Sequence, residues 1–367
     1  MKPYIPRELP LDDLDYRRLF SLVGDANAEL ARYDGLLQGV VNPAVLLSPL
    51  TTNEAVLSSK IEGTQATLDE VLEHEAGLNR DNAKRHDIQE IVNYRNALTR
   101  GTEFLRDNPI SLYLLRQMHR ILMEGVRGEH KSPGSFRTDQ NWIGRPGCSI
   151  DEASFVPPSP ILLPEYLEKW EAYVQGEDID TLVQLSVMHA QFELLHPFKD
   201  GNGRIGRLLI PLFLYQKEKL ASPMFYLSSY LESHREEYYA QLAAISNEND
   251  WNGWIAFFLR AISEQARENG RKVRQITELY DEMKERIVRT THSQFAIQIL
   301  DALFAQPIFK TTDFVQRTGI KKQTAMPLLK QIREAGDLVV LREARGRSAS
   351  ILAFPALLSI TEGKNFA

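Results

Sequence analysis

Twelve residues, HPFKDGNGRIGR at 196–207, hold most of the chemistry legible in this chain. His196 is a side chain that can take a proton near neutral pH. Asp200, four residues on, is a carboxylate of the kind that holds Mg²⁺ beside phosphates. Gly201, Asn202 and Gly203 lead into the apolar run RIGRLLIPLFLYQKEKL, which places them at a helix N-terminus. Glycines there let N–H groups turn toward one point, and the helix dipole adds positive potential, so the turn is an anion site suited to phosphate. Arg204 and Arg207, three apart on the first turn, project to neighbouring positions, and their planar forks bind phosphate oxygens in pairs. These are the parts for phosphoryl or nucleotidyl transfer: the base activates a hydroxyl, metal and arginines hold charge, and the backbone fixes the phosphates. Each part recurs singly in purely structural settings. Their order within twelve residues is what points to a site.

Such a site needs elements to carry it. TLVQLSVMHAQFELL at 181–195 is apolar enough for a central, buried helix that delivers His196, with Pro197 discouraging its continuation. His189 lies on a similar face, has no Cys or acidic partner for a transition-metal set, and is read as core. Most of residues 11–290 shows the three- and four-residue spacing of amphipathic helices, including a helix from near Thr52 that Gly63 stops. The Gly-, Pro-, Ser- and Asn-rich stretch 128–160 breaks the pattern. QNWIG and SFVPP read there as short strands around a loop, a β-hairpin flap over 140–156. Beyond 290 come three short helices and two strands around a basic turn, the winged helix-turn-helix order.

The expected fold class is therefore mainly α: a helical core with a β-hairpin flap, followed by a C-terminal winged-helix-like domain. The expected divisions are 1–110, a helical region; 111–270, the core with its flap; and 290–367, the winged-helix-like part. Between 293 and 360 nine Lys or Arg face five Asp or Glu, on a chain whose net charge is −6. Lys321, Lys322 and Lys330 would lie on or before a recognition helix, and Arg342, Arg345 and Arg347 in the wing. Pro327 is expected to bend or shorten that helix.

The bulk composition gives no reason to expect nucleic-acid or membrane affinity of the whole molecule. Cys148 is the only cysteine, so no internal disulfide forms, which fits a reducing compartment. The first twenty residues lack the apolar core of a signal peptide, and the longest apolar run, LLIPLFLY at 208–215, is too short to span a bilayer. A cytoplasmic location is the expectation.

HPFKDGNGRIGR matches, at every specified position, the signature His-x-Phe-x-Asp/Glu-Gly-Asn-Gly-Arg-x-x-Arg of Fic-domain proteins, and the chain resembles that family over roughly residues 50–260. The resemblance implies transfer of AMP from ATP to a hydroxyl (Ser, Thr or Tyr) of a target protein, with release of pyrophosphate. It implies His196 as general base, Asp200 as the Mg²⁺ ligand, Gly201, Asn202 and Gly203 as the phosphate loop, Arg204 and Arg207 on the β and γ phosphates, and Phe198 as a buried anchor. The flap resembles the family's, which aligns a target segment by strand addition. SSKIEG at 58–63 is similar to a second family motif, Ser/Thr-x-x-x-Glu-Gly/Asn, with Ser58, Glu62 and Gly63. That similarity implies an inhibitory helix whose glutamate pairs with Arg207, so that bound ATP is posed wrongly for in-line attack. YLESHREEYYAQL at 230–242 resembles a family helix that helps hold the adenosine, with Tyr238 and Tyr239 as candidates. Removal of AMP by the same site is an alternative activity. A DNA-binding regulator, or a protein partner, at 290–367 is a second class of function, and a homodimer is a further expectation.

Overall fold

A computed structural model describes residues 2–78, 84–126, 128, 130–145, 147–345, 348–363 and 366. The helices are α1 (Tyr16–Gly39), α2 (Pro43–Leu46), α3 (Ser48–Ile61), α4 (Leu68–Glu75), α5 (Arg85–Phe104), α6 (Leu112–Leu122), α7 (Leu163–Gln175) and α8 (Thr181–Leu195). They continue with α9 (Asn202–Gln216), α10 (Ser228–Ser233), α11 (Arg235–Glu248), α12 (Trp251–Thr291) and α13 (Ala296–Ala305). Then follow strand β1 (Ile308–Lys310), α14 (Thr311–Thr318), α15 (Lys322–Glu334), β2 (Val339–Arg342), β3 (Ile351–Ala353) and α16 (Pro355–Glu362). The protein is mainly helical, as its periodicity requires.

Two compact units interleave along the sequence. One holds Met1–Asp34, Leu57–Thr64 and Gln89–Arg267; the other holds Gly35–Val56, Gln65–Ile88 and Glu268–Ala367. This spatial partition cuts across the sequential divisions expected at 1–110, 111–270 and 290–367. Periodicity is a local signal, and the return of distant segments to a shared core leaves no trace in it.

In the first unit α8 is the axis. Every residue from Leu182 to Leu195 except Glu193 is buried, so the helix is covered all round. Asp180 starts it: its Oδ1 accepts from the amides of Leu182 at 2.8 Å and Val183 at 3.1 Å, satisfying donors that the helix itself leaves open. Helices α7 and α9 pack on α8. Two buried indoles also hold it, Trp254 donating to the Ser186 carbonyl at 2.8 Å and Trp170 to that of Met188 at 3.0 Å.

The expected hairpin is present only in part. One antiparallel bridge joins Ile143 and Phe155, and the connection between them contains a 3₁₀ turn at Ile150–Glu152. Two strands do not extend from that bridge because Pro157 and Pro158 have no N–H for a ladder. The N-terminal segment reaches the flap's far end, Tyr4 donating its amide to the Val156 carbonyl at 2.8 Å.

In the second unit β1, β3 and β2 form an antiparallel three-stranded sheet in that order, with β3 central. β1 and α16 are elements that the sequence pattern did not single out. Pro327 does not shorten α15, which runs from Lys322 to Glu334. The proline is exposed and near the start of the helix, so only one backbone bond is lost, at a place water reaches. Arg342 donates to the carbonyls of Ala349 at 3.4 Å and Gly77 at 3.5 Å, so it is tied to backbone and not a free wing cation. Arg345 is exposed, and Arg347 lies outside the described residues.

Candidate functional site

Helix α8 stops because His196 takes the left-handed conformation, φ 45° and ψ 59°, just before Pro197. The His196 Nδ1 lies 3.3 Å from the Glu193 carbonyl. A carbonyl oxygen only accepts, so Nδ1 carries the proton and Nε2 keeps its lone pair. Burial pushes the imidazole down to about 4 against the raising effects of the Glu193 bond, Glu62 and Asp200, and the Arg137 charge adds to the lowering. The ring is therefore neutral at neutral pH and Nε2 can accept a proton.

The turn between α8 and α9 is fixed from inside. Phe198 is fully buried, and its ring stacks on His119 with centroids 3.8 Å apart and planes at 5°. Asn202 closes the loop: its Oδ1 accepts from the Phe198 amide at 2.8 Å and its Nδ2 donates to the Phe198 carbonyl at 2.9 Å. The Asn202 side chain is thus committed to the loop, leaving its backbone N–H for a ligand. Gly201 caps α9 at φ 76°, a conformation that favours glycine, and no side chain caps that end. The α9 N-terminus therefore presents backbone donors and the positive end of its dipole.

Asp200 sits at the edge of this cradle with 43% of its side chain exposed. Its Oδ1 accepts from the Gly201 amide at 2.6 Å. Among the described residues no three His, Cys, Asp or Glu side chains converge into a metal cage. A cation here would rest on one carboxylate and on oxygens of a substrate, which is the ligand set Mg²⁺ takes with nucleotide phosphates. The residues present fit that ion.

The two arginines differ. Arg204 is buried, its Nη1 3.3 Å from Glu90 and its Nη2 3.7 Å from Asp200. Its Nε and Nη1 make no hydrogen bond to any described residue, so buried donors remain for an oxyanion. Arg207 is held instead through Nε and Nη2. Nε donates to the Ser58 hydroxyl at 2.8 Å, and Nη2 to the Ser58 carbonyl at 2.9 Å and to Glu62 Oε1 at 2.7 Å. The Arg207 side chain is only 1% exposed and that of Glu62 is 35% exposed, so the carboxylate covers the guanidinium from the solvent side. Burial would raise the Glu62 carboxyl, but the Arg207 charge and hydrogen bond, with Arg204 and His196, hold it below its ordinary value. Gly203 has no room for a side chain while Glu62 is there, since a Cβ would stand 2.2 Å from Glu62 Oε1. Gly63 follows at φ 98° and turns the chain out of α3.

Tyr238 is not available to a ligand. It is 1% exposed, and its hydroxyl meets His189 Nε2 at 3.0 Å while His189 Nδ1 faces the Gly206 carbonyl at 3.2 Å. Its ring belongs to the aromatic core with Trp254 and Phe257. The reading of Tyr238 as an adenosine contact is corrected accordingly: adjacent tyrosines on a helix point about 100° apart, and this one points inward. Tyr239 is 43% exposed, and its hydroxyl feels the charges of Glu62 and Arg207. His189 is fully buried, as a core residue should be, and burial drives it down to about 3.

Three further residues escaped the sequence reading. Arg137, 3% exposed, binds the carbonyls around His196. His119 accepts from the Gly134 amide at 2.8 Å and so donates through Nε2 to the Asp200 carbonyl at 3.0 Å. Glu193 lies one helical turn before His196, and burial lifts its carboxyl to about 8. Its signal was visible, as the one charge inside an otherwise apolar run. A histidine on the apolar face of α6 was a weaker one. Arg137 had none.

Residues 20–103 match the model described as Fic/DOC family N-terminal, and residues 109–214 match that of the Fic/DOC family. The chain is 26% identical over 196 residues to a probable protein adenylyltransferase of Aquifex aeolicus (strain VF5), spanning 52% of this chain and 56% of that protein. It is 30% identical over 151 residues to protein adenylyltransferase fic-1 of Caenorhabditis elegans, spanning 40% of this chain and 26% of that protein. It thus covers about half or less of the length of these relatives. In fold it is similar to a Fic family protein from Desulfovibrio desulfuricans G20, with TM-score 0.60, 21% identity, and coverage of 96% of this chain and 98% of that one.

Proposed function

The chain belongs to the Fic/DOC family, its two family matches together spanning just over half of its length, and on that premise we propose that it transfers AMP from ATP to a hydroxyl side chain of a target protein. In this reading the α9 N-terminus and the open donors of Arg204 hold the triphosphate. Mg²⁺ on Asp200 would neutralise charge on the phosphate oxygens. The His196 Nε2 takes the proton of the target hydroxyl as its oxygen attacks the α-phosphorus. The bond to the β-phosphate oxygen breaks and pyrophosphate leaves. In the same reading Trp142 and Ile143, exposed on the flap over 140–156, would meet an extended target segment, and the exposed Tyr239 would contact the adenosine.

The observation that carries the reading is the Glu62–Arg207 pair at 2.7 Å beside the open α9 N-terminus and a neutral His196. A guanidinium held by a carboxylate is less available to the γ-phosphate, and that carboxylate repels it. Glu62 is then a brake, with Ser58 as its second hold on Arg207 and Gly63 as the turn that ends the inhibitory helix. The test is mass spectrometry of proteins modified in a cell lysate by the Glu62→Gly variant with ATP. AMP on Ser, Thr or Tyr of discrete targets supports the proposal; an unmodified lysate contradicts it.

A second reading concerns the other unit. Lys321, Lys322 and Lys330 are exposed at and along α15, on a helix–strand–helix–helix–strand–strand series that a winged helix also follows. We propose duplex DNA as the ligand of that face. Binding by the full chain should fall steeply as salt rises, and Lys321→Ala with Lys322→Ala should flatten the slope by about two. No binding at low salt would end this reading.

A further inference from the structure

Arg137 is a buried cation with no carboxylate beside it among the described residues. Its side-chain partners are four backbone carbonyls. Nε donates to the His196 carbonyl at 2.9 Å. Nη2 donates to Pro158 at 2.6 Å and to Leu195 at 3.3 Å. Nη1 donates to Asp139 at 3.4 Å. Its own amide adds a fifth bond, to the Pro197 carbonyl at 2.8 Å. Burial without a counter-charge pushes the guanidinium down to about 10, so it is still charged at neutral pH. Taking a cation out of water is unfavourable unless its donors are well used, and here they converge on two places.

One place is the end of α8. Leu195, His196 and Pro197 present carbonyls that the helix cannot satisfy, and His196 is held in a left-handed conformation that disfavours non-glycine residues. The other place is the base of the flap. Asp139 directly precedes the flap and Pro158 lies two residues past its end; among the described residues the flap forms one backbone bridge, Ile143–Phe155, with Gln140 Nε2 donating to the Pro157 carbonyl at 3.0 Å and Asn141 Nδ2 to the Phe198 carbonyl at 3.3 Å. Neither end has a ladder of its own. A single planar group therefore links both feet of the flap to the backbone of the general base.

We propose that Arg137 is a positioning residue that sets the flap, and any segment docked on it, at a fixed distance from His196 Nε2. This rests on the proposed AMP transfer. Arg137 bonds to no residue of the phosphate cradle: Asn202 closes the loop at Gly201–Gly203, Glu90 lies beside Arg204, and Ser58 still holds Arg207 when Glu62 is removed. A lost clamp lets the hydroxyl and the base drift apart while ATP binds as before. A displacement of about 1 Å between reacting groups costs as much as 10²-fold in rate.

The experiment compares Glu62→Gly with Glu62→Gly/Arg137→Met and Glu62→Gly/Arg137→Lys. The readouts are ATP affinity by calorimetry and label transferred from α-labelled ATP to lysate proteins. The Met variant should keep its ATP affinity within about twofold and lose ten- to a hundredfold in transfer. Lys, with a charge but no fork to reach both sites, should recover only a small part. Transfer by the Met variant at the full Glu62→Gly rate overturns the proposal. So does a loss of ATP affinity in step with transfer, which is what general loosening of the fold gives. Should the Met variant fail to fold, the Lys variant decides alone: full transfer overturns the clamp, and reduced transfer with intact ATP affinity supports it. Absence of transfer by Glu62→Gly itself is a separate result and sinks the parent reading instead.

Discussion

The general-base role proposed for His196 needs an unprotonated imidazole, and the surroundings decide this. Its pKa of about 4 places the acid limb of the reaction well below the ordinary histidine range. Removing the Glu62 carboxylate, which raises that value, moves the limb further down. A pH–rate profile of Glu62→Gly should therefore show activity retained from pH 7 to about 5; a half-loss near pH 6.5 would mean a solvated imidazole. His196→Ala in the same background should lower transfer by roughly 10²–10⁴-fold. The signature side chains were legible because their types are chemically unusual together: a base, an acid and two forks around glycine. Arg137 and His119 were not, because each acts on backbone carbonyls and amides that the fold brings to it. Tyr238 shows the converse error, a suitable residue type facing the wrong way.

The helices that carry the site were readable because burial imposes a period. Helix α8 was found over 181–195 with its observed bounds, and its all-round apolar character follows from contacts on every side. Its start is a separate device. Asp180 caps two amides, and its Oδ2 also accepts from Asn27 Nδ2 at 2.9 Å. Asp180→Ala should lower stability by about 1–2 kcal/mol, read as a shifted urea midpoint with an unchanged slope. An unchanged midpoint would mean that packing alone sets the register of α8. The flap was found as a reversal but not as a true hairpin: alternation and turn residues marked its ends, whereas its single bridge follows from the prolines beside it.

At the scale of the molecule, the interleaving of the two units was invisible in the sequence, since segments 35–56 and 65–88 join a core built mainly from 268–367. Acid stability should also reveal the core of the first unit. Burial lowers His119 to about 4, His189 to about 3 and His196 to about 4. The unfolded chain takes up protons on these rings below about pH 6.5, and the folded chain does not, so their contribution is full above 6.5 and lost as pH falls toward 4. Glu193, raised to about 8, works oppositely and offsets part of this. The urea midpoint should drop between pH 6.5 and 4; a flat or rising midpoint would show the rings to be solvated.

The most direct test of the whole account is transfer of label from α-labelled ATP to protein, with γ-labelled ATP alongside. Glu62→Gly should transfer the α label at least tenfold faster than the unmodified chain, His196→Ala should return that rate to background, and the γ label should stay in pyrophosphate. Equal rates with and without Glu62, or protein carrying the γ label, would contradict the account.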